Sequence, residues 1–598
     1  MLNARLYRAA LVPFAFALAI AAFSLGPSPP GYTSPLAPDA FSGQTAFAEL
    51  GQLAHEFPQR RPGESGDAAL ALRVADTIRG LGGTAGGGFS VDIRRLRADT
   101  IDGERPLVTV IAQRAGSTGE APIVIMAHRD AAAGGAEAEL SGTAALLELA
   151  RVFASGETKR TIVLVSTTGG SAGDAGAANF AAHASGPFDA AIVLGDLAGA
   201  RAHKPSVVPY SAGFGSAPLQ LQRTVSGAIT REAASAPGSP SVLGQLSHLA
   251  FPLTPGEQGP LDAAGIPAVL VQVSGERGPS AREPVSAQRL EGYGRGVLGA
   301  VYALDAAPDL PTAMQTGVLV HGQTIPEWAW RLLVGTLLLA PLAVTVDWWA
   351  RARRRREALA RPTLWALACA LPFLLAAVFA RALGLLGALP SAPAAPAVST
   401  ALPFDSLAAR AVAATLLVLA LAWALWPLAV RRLGLDVARG SDTPGLALMI
   451  VLVTLCVVVW ALDPYAALLL VLGAHVALLI ASPPLRPRPL GALGLIALAL
   501  VPLLALVAFY AHELGLGPGA VAWTAVRLLA GGHVSIPVAA LWSVAFGCAA
   551  AAAMLAFSPP APEAGPRGPG TEMRITIRGP RSYAGPGSLG GTESALRR

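Results

Sequence analysis

A histidine followed two residues later by an aspartate, His128-Arg129-Asp130, closes the apolar run Ile123-Val124-Ile125-Met126-Ala127. Such a pair has two chemical uses. The carboxylate orients the imidazole so that its other nitrogen ligates a metal ion. Otherwise the two hydrogen-bond at a strand end, stabilise the sheet edge and bind nothing. Ionisable residues inside apolar runs are the second kind of candidate, because charge is costly in hydrocarbon. His475 lies in such a run, and Asp463, just before Pro464, lies between two of them. His475 reads as a functional group or as a neutral imidazole bonded to a neighbouring helix. Asp463 reads as a functional carboxylate or as a turn and cap residue. His512, Glu513 and His533 stand at the ends of further runs, and Arg381 within one can snorkel.

The elements that must hold these residues are largely membrane helices. The chain has 598 residues, 53% hydrophobic and 14% charged. A soluble protein carries about 25% charged residues. The net charge of +6 does not point to nucleic acid, because the arginines cluster beside apolar runs. Membrane lipid is therefore the expected partner and nucleic acid is not. The three cysteines, Cys369, Cys456 and Cys548, all lie in apolar segments, so the polar region has no disulfide.

Apolar runs near 20 residues span a bilayer as helices. Spans are expected at 9–25, 330–349, 364–386, 408–430, 446–462, 465–481, 492–511 and 535–557. Arginines 351–356, Arg431 with Arg432, Arg486 with Arg488, and the tail arginines Arg567, Arg574, Arg578 and Arg581 fall on alternate ends. That pattern puts them all in the cytoplasm, with both termini inside and the intervening domain outside. The run 521–532 is short enough to be re-entrant or interfacial. The first run reads as an uncleaved anchor rather than a signal peptide, because Gly26-Pro27-Ser28-Pro29-Pro30 is a poor cleavage context. The domain plan is an anchor over 1–25, a linker over 26–39, an extracytoplasmic domain over 40–324, a bundle of about seven helices over 328–557, and a disordered cytoplasmic tail over 558–598.

Within 40–324, β-type runs at 107–113, 122–127, 161–168, 190–195 and 268–273 alternate with helical patterns at 67–81, 141–154, 217–229 and 286–303. Alternation of this kind predicts an α/β domain. Its sheet would be mixed and largely parallel with helices on both faces, joined to an all-α transmembrane bundle.

Ordered blocks in this domain resemble the M28 family of zinc aminopeptidases, from about Ala46 to Ala303. Gln59-Arg60-Arg61-Pro62-Gly63-Glu64-Ser65-Gly66 is similar to the family's R-x-x-G-S region. Met126-Ala127-His128-Arg129-Asp130 is similar to its strand ending in H-x-D. Gly135-Ala136-Glu137-Ala138-Glu139-Leu140-Ser141-Gly142 stands where the family has G-A-D-D-N-A-S-G, and Ala145 to Arg151 resembles the helix that follows. Arg160-Thr161-Ile162 opens the next strand, and Gly265-Ile266-Pro267-Ala268 matches a late turn.

The resemblance implies two zinc ions held by two histidines and three carboxylates, with a glutamate as general base. Carried over residue by residue, the first histidine ligand is His128, its orienting aspartate Asp130, and a later aspartate ligand Asp196. The bridging aspartate falls on Ala138, the general base on Gly170, the adjacent ligand on Ser171 and the last histidine on Gln258. Alanine, glycine and serine supply no metal-bridging or proton-accepting group, and zinc sites normally have at least three protein ligands. The expectation is a pseudo-enzyme with no cofactor, binding a peptide or protein in the former substrate cleft. The alternative is an active membrane-bound metallopeptidase with zinc in a rearranged site. Glu137 or Glu139 would then replace Ala138, Asp174 the base, and His248 or Glu257 the lost histidine. A transporter with an accessory domain is a third reading, weakened by the lack of an internal repeat.

Overall fold

The computed structural model describes residues 4–82, 88–171, 173–233, 235–390, 401–437, 442–482 and 485–558. The tail expected to be disordered, with Arg567, Arg574, Arg578 and Arg581, lies outside them.

Ten strands are described. β1 (Gly26–Pro27) forms a small antiparallel ribbon with β9 (Val318–Val320) and β10 (Gln323–Ile325). The main sheet has seven strands: β2 (Ser90–Thr100), β3 (Gly103–Arg114), β4 (Ile123–His128), β5 (Ile162–Thr167), β6 (Ala190–Leu194), β7 (Val207–Val208) and β8 (Ala268–Val271). Their order is β2-β3-β5-β4-β6-β8-β7. The pairs β5–β4, β4–β6 and β6–β8 are parallel. The β2–β3, β3–β5 and β7–β8 pairs are antiparallel. The sheet is thus mixed, with a parallel centre and antiparallel flanks.

The central strands read as unbroken apolar runs because both of their faces are covered. Ile123, Ile125, Ile162, Leu164, Ile192 and Val271 point into one core with helices Gly43–Glu56, Ser65–Gly80, Glu137–Ser155, Leu219–Glu232 and Ala287–Ala306. Val124, Met126, Val163, Val165, Val193 and Leu270 point into a second core with Ala175–Ala182 and Gln258–Ala263. This period of two sends alternate side chains to opposite layers. It also brings the carboxyl ends of β4, β5, β6 and β8 to one edge, where open α/β sheets place ligands.

Eight helices are long and apolar enough to cross a membrane. They are Ala4–Phe23, Glu327–Arg354, Ala360–Leu385, Ser406–Arg432, Asp442–Leu462, Pro464–Ala481, Pro489–Glu513 and Ile536–Ala556, numbered here in that order. The third is broken at Cys369-Ala370 into Ala360–Ala368 and Leu371–Leu385. The short run near 521–532 is a separate helix, Pro518–Ala530. His475 has two partners: the Tyr7 hydroxyl lies 2.7 Å from its Nδ1, and its Nε2 is 3.2 Å from the Leu337 carbonyl. It is a hydrogen-bonded imidazole between helices. Asp463 caps the sixth span by accepting from the Tyr465 and Ala466 amides, at 2.8 and 3.2 Å. Arg381 is half-buried. It donates to the Ala530 carbonyl at 2.6 Å.

The linker expected over 26–39 is built into the fold. Gly26 and Pro27 pair with Thr324 and Gln323, and the Tyr32 amide donates to Thr224 Oγ1 at 2.9 Å. The domain also sits directly on the bundle. Helix Val242–Ala250 packs on the sixth and seventh spans. Tyr465 donates to the Thr316 carbonyl at 2.6 Å, Tyr510 to the Phe251 carbonyl at 2.6 Å, and Arg277 to the His512 carbonyl at 2.7 Å.

Candidate functional site

His128 ends β4 at the sheet's carboxyl edge, facing the loop after β5. Its Nδ1 is 3.7 Å from Asp130 Oδ1 and 3.2 Å from the Asp130 carbonyl. Burial works against charge on this ring, but the Asp130 carboxylate outweighs it and pushes His128 up to about 9. Asp130 is itself fully buried and grips the loop. Its Oδ1 accepts from the Gly169 and Gly170 amides at 2.7 and 3.1 Å. Its Oδ2 accepts from the Ser171 amide at 3.1 Å and the Ser171 hydroxyl at 2.5 Å.

That grip determines what residues 170 and 171 present. Ser171 turns its hydroxyl to Asp130. Gly170 lies so close to the imidazole that an added Cβ would meet His128 Cβ at 2.5 Å and Cγ at 2.6 Å. The ring occupies the space in which any side chain at 170 would begin. A second close approach seats helix Glu137–Ser155: a Cβ on Gly142 would meet the Leu194 carbonyl oxygen at 2.4 Å. The glycine lets that helix drop onto β6 and carries its first turn to the sheet edge.

A cavity of about 50 Å³ lies at this edge, lined among others by His128, Glu139, Gly170, Ser171, Glu257 and Glu276. Glu139 reaches it from the first turn of Glu137–Ser155. Glu257, on the loop before β8, accepts the Thr167 hydroxyl at 2.5 Å. Burial pushes both carboxyls up to about 7, against the opposing pull of His128.

Residues 109–247 match the model of the Peptidase family M28. The α/β domain is M28-peptidase-like. No curated protein matches the chain. Among solved structures, a glutaminyl cyclase of Porphyromonas gingivalis is similar at 18% identity and a TM-score of 0.33, over 45% of this chain and 100% of that one. A zinc aminopeptidase of Bacillus subtilis is similar at 12% identity and a TM-score of 0.33, over 46% and 98%. A glutaminyl cyclase of an Acidobacteriales bacterium is similar at 16% and 0.35, over 47% and 99%.

The remaining candidates of the M28-like domain divide between this cavity and other places. Asp196 follows β6, but its Oδ1 is turned back to the Ala198 and Gly199 amides, at 3.0 and 2.6 Å, and it does not line the cavity. Burial raises its carboxyl to about 6. Ala138 is buried, and Glu137 is exposed and points away. Glu139 is thus the carboxylate of that turn that enters the site. Gln258 is a loop brace, donating to Thr254 Oγ1 at 2.9 Å and the Tyr210 carbonyl at 3.2 Å. Asp174 is fully buried at a positive φ of 53°, and burial, with Glu257 and Asp130 nearby, raises its carboxyl well above the usual range. It too lies off the cavity wall.

His248 does not join the site directly. Its Nε2 is 3.0 Å from Glu276 Oε1, its ring stacks on Tyr210 at 3.5 Å, and its Nδ1 is 3.3 Å from the Tyr510 hydroxyl. Glu276 therefore stands between the cavity and a histidine that faces the seventh span. Sequence reasoning missed Glu276, Tyr210 and Tyr510. The one available signal was the polar end of the seventh span at His512 and Glu513.

The donor set does not fit the two-zinc centre that the family resemblance implies. Ser171 spends its hydroxyl on Asp130, Ala138 has no donor, and Asp196, with Oδ1 committed to its own loop, does not line the cavity. Among the described residues, no group of three His, Cys, Asp or Glu side chains is arranged to hold a metal ion.

Proposed function

We propose that the M28-like domain is a binding module without peptidase activity, held outside the cytoplasm on its membrane bundle, and that its cleft receives a peptide or protein. The observation that carries this reading is the loop 169–171. Asp130 holds it through four hydrogen bonds, and the His128 ring fills the space where a side chain at 170 would begin. A glutamate base has no place to stand there. What remains is a small cavity with two carboxylates, Glu139 and Glu257, beside His128. It has room for a group the size of an ammonium ion and the charge to attract one, so the amino terminus of a peptide is the best fit.

The test uses the full chain in phosphatidylcholine nanodiscs. After dialysis against zinc, elemental analysis is expected to give less than one zinc per chain. Hydrolysis of peptide amides with zinc, cobalt or manganese added is expected to stay at background, while a random tripeptide pool binds and its N-acetylated form does not compete with it. Two zinc ions per chain, with turnover abolished by His128→Ala, would establish an active metallopeptidase instead.

The sidedness has its own prediction. The alternation of arginines along eight candidate spans supports cytoplasmic termini with the M28-like domain opposite. Reporter fusions after Gly215 and after Ser558 are expected to report opposite sides. The same side for both would break the span count.

A further inference from the structure

Two apolar chambers of about 360 and 380 Å³ lie where the M28-like domain meets the bundle. Both are within the size range of small-molecule sites. They share a wall of Phe251, Leu253, Leu528, Val534 and Trp542, so they are adjoining lobes of one space. The larger lobe is apolar, and the hydroxyls of Thr415, Ser543 and Tyr510 on its walls are spent on backbone carbonyls. An apolar cavity of this size stays dry and takes hydrocarbon rather than water.

The lobes also open sideways. Val507 on the wall of the larger lobe is 40% exposed, and Val538 and Leu462 on the other are 39% and 68% exposed. These residues lie on the seventh, eighth and fifth spans. The polar end is in the smaller lobe, at Thr254, Asp463 and His533. Thr254 lines both this lobe and the cavity of His128, Glu139 and Glu257. One residue therefore separates a hydrocarbon chamber from a carboxylate-lined cavity.

We infer that the ligand of the cleft is an acylated peptide, with its amino terminus in the cavity and its acyl chain in the chamber. This rests on the peptide-binding reading above. Charge selects the occupant: among the described residues no Lys or Arg lines either lobe or the cavity, and the four carboxyls of Asp463, Glu139, Glu257 and Glu276 outnumber the two imidazoles of His128 and His533. Such a surface favours an ammonium over the phosphate of a phospholipid headgroup.

The experiment uses the full chain in phosphatidylcholine nanodiscs, with empty nanodiscs as background. The probes are two random tripeptide pools, one with a palmitoylated lysine at the third position and one without the chain. The palmitoylated pool is expected to bind at least about tenfold more tightly, a difference that a few buried methylenes supply. Filling the larger lobe by Ala525→Phe, or the smaller by Ala466→Phe, is expected to lower the palmitoylated pool to the affinity of the plain one and leave the plain one unchanged. Equal binding of the two pools to the unaltered chain overturns the acyl site and leaves the cleft reading intact. Binding of neither pool overturns both. One phospholipid per chain retained in native mass spectra, and lost in Ala525→Phe, gives the chamber to a membrane lipid and overturns the acylated peptide.

Discussion

Arg129→Ala is expected to destabilise the M28-like domain by about 3–5 kcal/mol. The guanidinium is fully buried behind β4, 3.0 Å from Asp67 Oδ1, and donates to the Ser166 and Thr167 carbonyls at 3.0 Å each and to the Val108 carbonyl at 2.6 Å. Removing it takes a donor from the Ser166 carbonyl near the end of β5 and from the Val108 carbonyl within β3, and leaves the buried Asp67 carboxylate without its cation. Breaking a buried pair from one side costs about 3–5 kcal/mol, against a total stability of about 5–15 kcal/mol for a domain. The measure is limited proteolysis and urea unfolding of the full chain in detergent, with the Asp67→Leu, Arg129→Met double variant beside the single one. The double variant is expected to recover part of the loss, because it buries no lone charge. A single variant that loses less than about 1 kcal/mol would mean that Arg129 does not hold these strands together.

The second large effect is on pH. Glu139 and Glu257 are held at about 7 in the folded chain against an ordinary 4.5. Between those values the folded state keeps protons that the unfolded chain has released. Stability from this source is therefore full below pH 4.5 and falls as pH rises to 7, by about 3 kcal/mol for each group acting alone. His128, raised to about 9 from 6.5, acts in the same direction: its contribution is complete below 6.5 and lost as pH climbs through 9. The melting temperature of the full chain is expected to fall steadily from pH 5 to pH 9. Glu139→Gln with Glu257→Gln is expected to flatten the lower half of that slope and, because both carboxylates help to raise His128, to make its upper half shallower. A melting temperature that rises from pH 5 to 8 would mean that these carboxyls are solvated.

Much of this was legible from residue patterns, for reasons that differ between regions. The spans were legible because hydrocarbon demands long apolar helices and tolerates little else. The central strands β4, β5, β6 and β8 were legible because strands covered on both faces read as unbroken apolar runs. β2 was not. Its residues Ser90 to Thr100 include Asp92, Arg94, Arg95 and Arg97, so no apolar period marks it, and it is strand because β3 pairs with it along its whole length. Helix Gly43–Glu56 was missed although its buried Ala46, Leu50 and Leu53 fall at helical spacing and Ser42 caps it through the Thr45 amide.

At the site, motif order placed His128 and Asp130 together, and the structure seats them as neighbours. It did not say which of Glu137 and Glu139 faces inward. That depends on the angle at which the helix meets β6, which Gly142 allows. Nor did it say that His248 faces the bundle, because no spacing within the domain encodes a partner on a span 262 residues away.

The docking of the domain on its bundle has a mechanical consequence. The chain enters the domain from the first span, leaves it into the second, and is braced a third time where Arg277 and Phe251 meet the end of the seventh. Three separated supports remove the freedom to tilt that a single tether would leave. The mouth of the cleft therefore sits at one height above the lipid surface. On the peptide-binding reading proposed above, a partner anchored in the same bilayer would meet it by diffusion in two dimensions, with a high effective concentration as long as its own tether matched that height. A partner dissolved in the bulk gains nothing from the arrangement, so tether length becomes a filter that acts before any side chain makes contact.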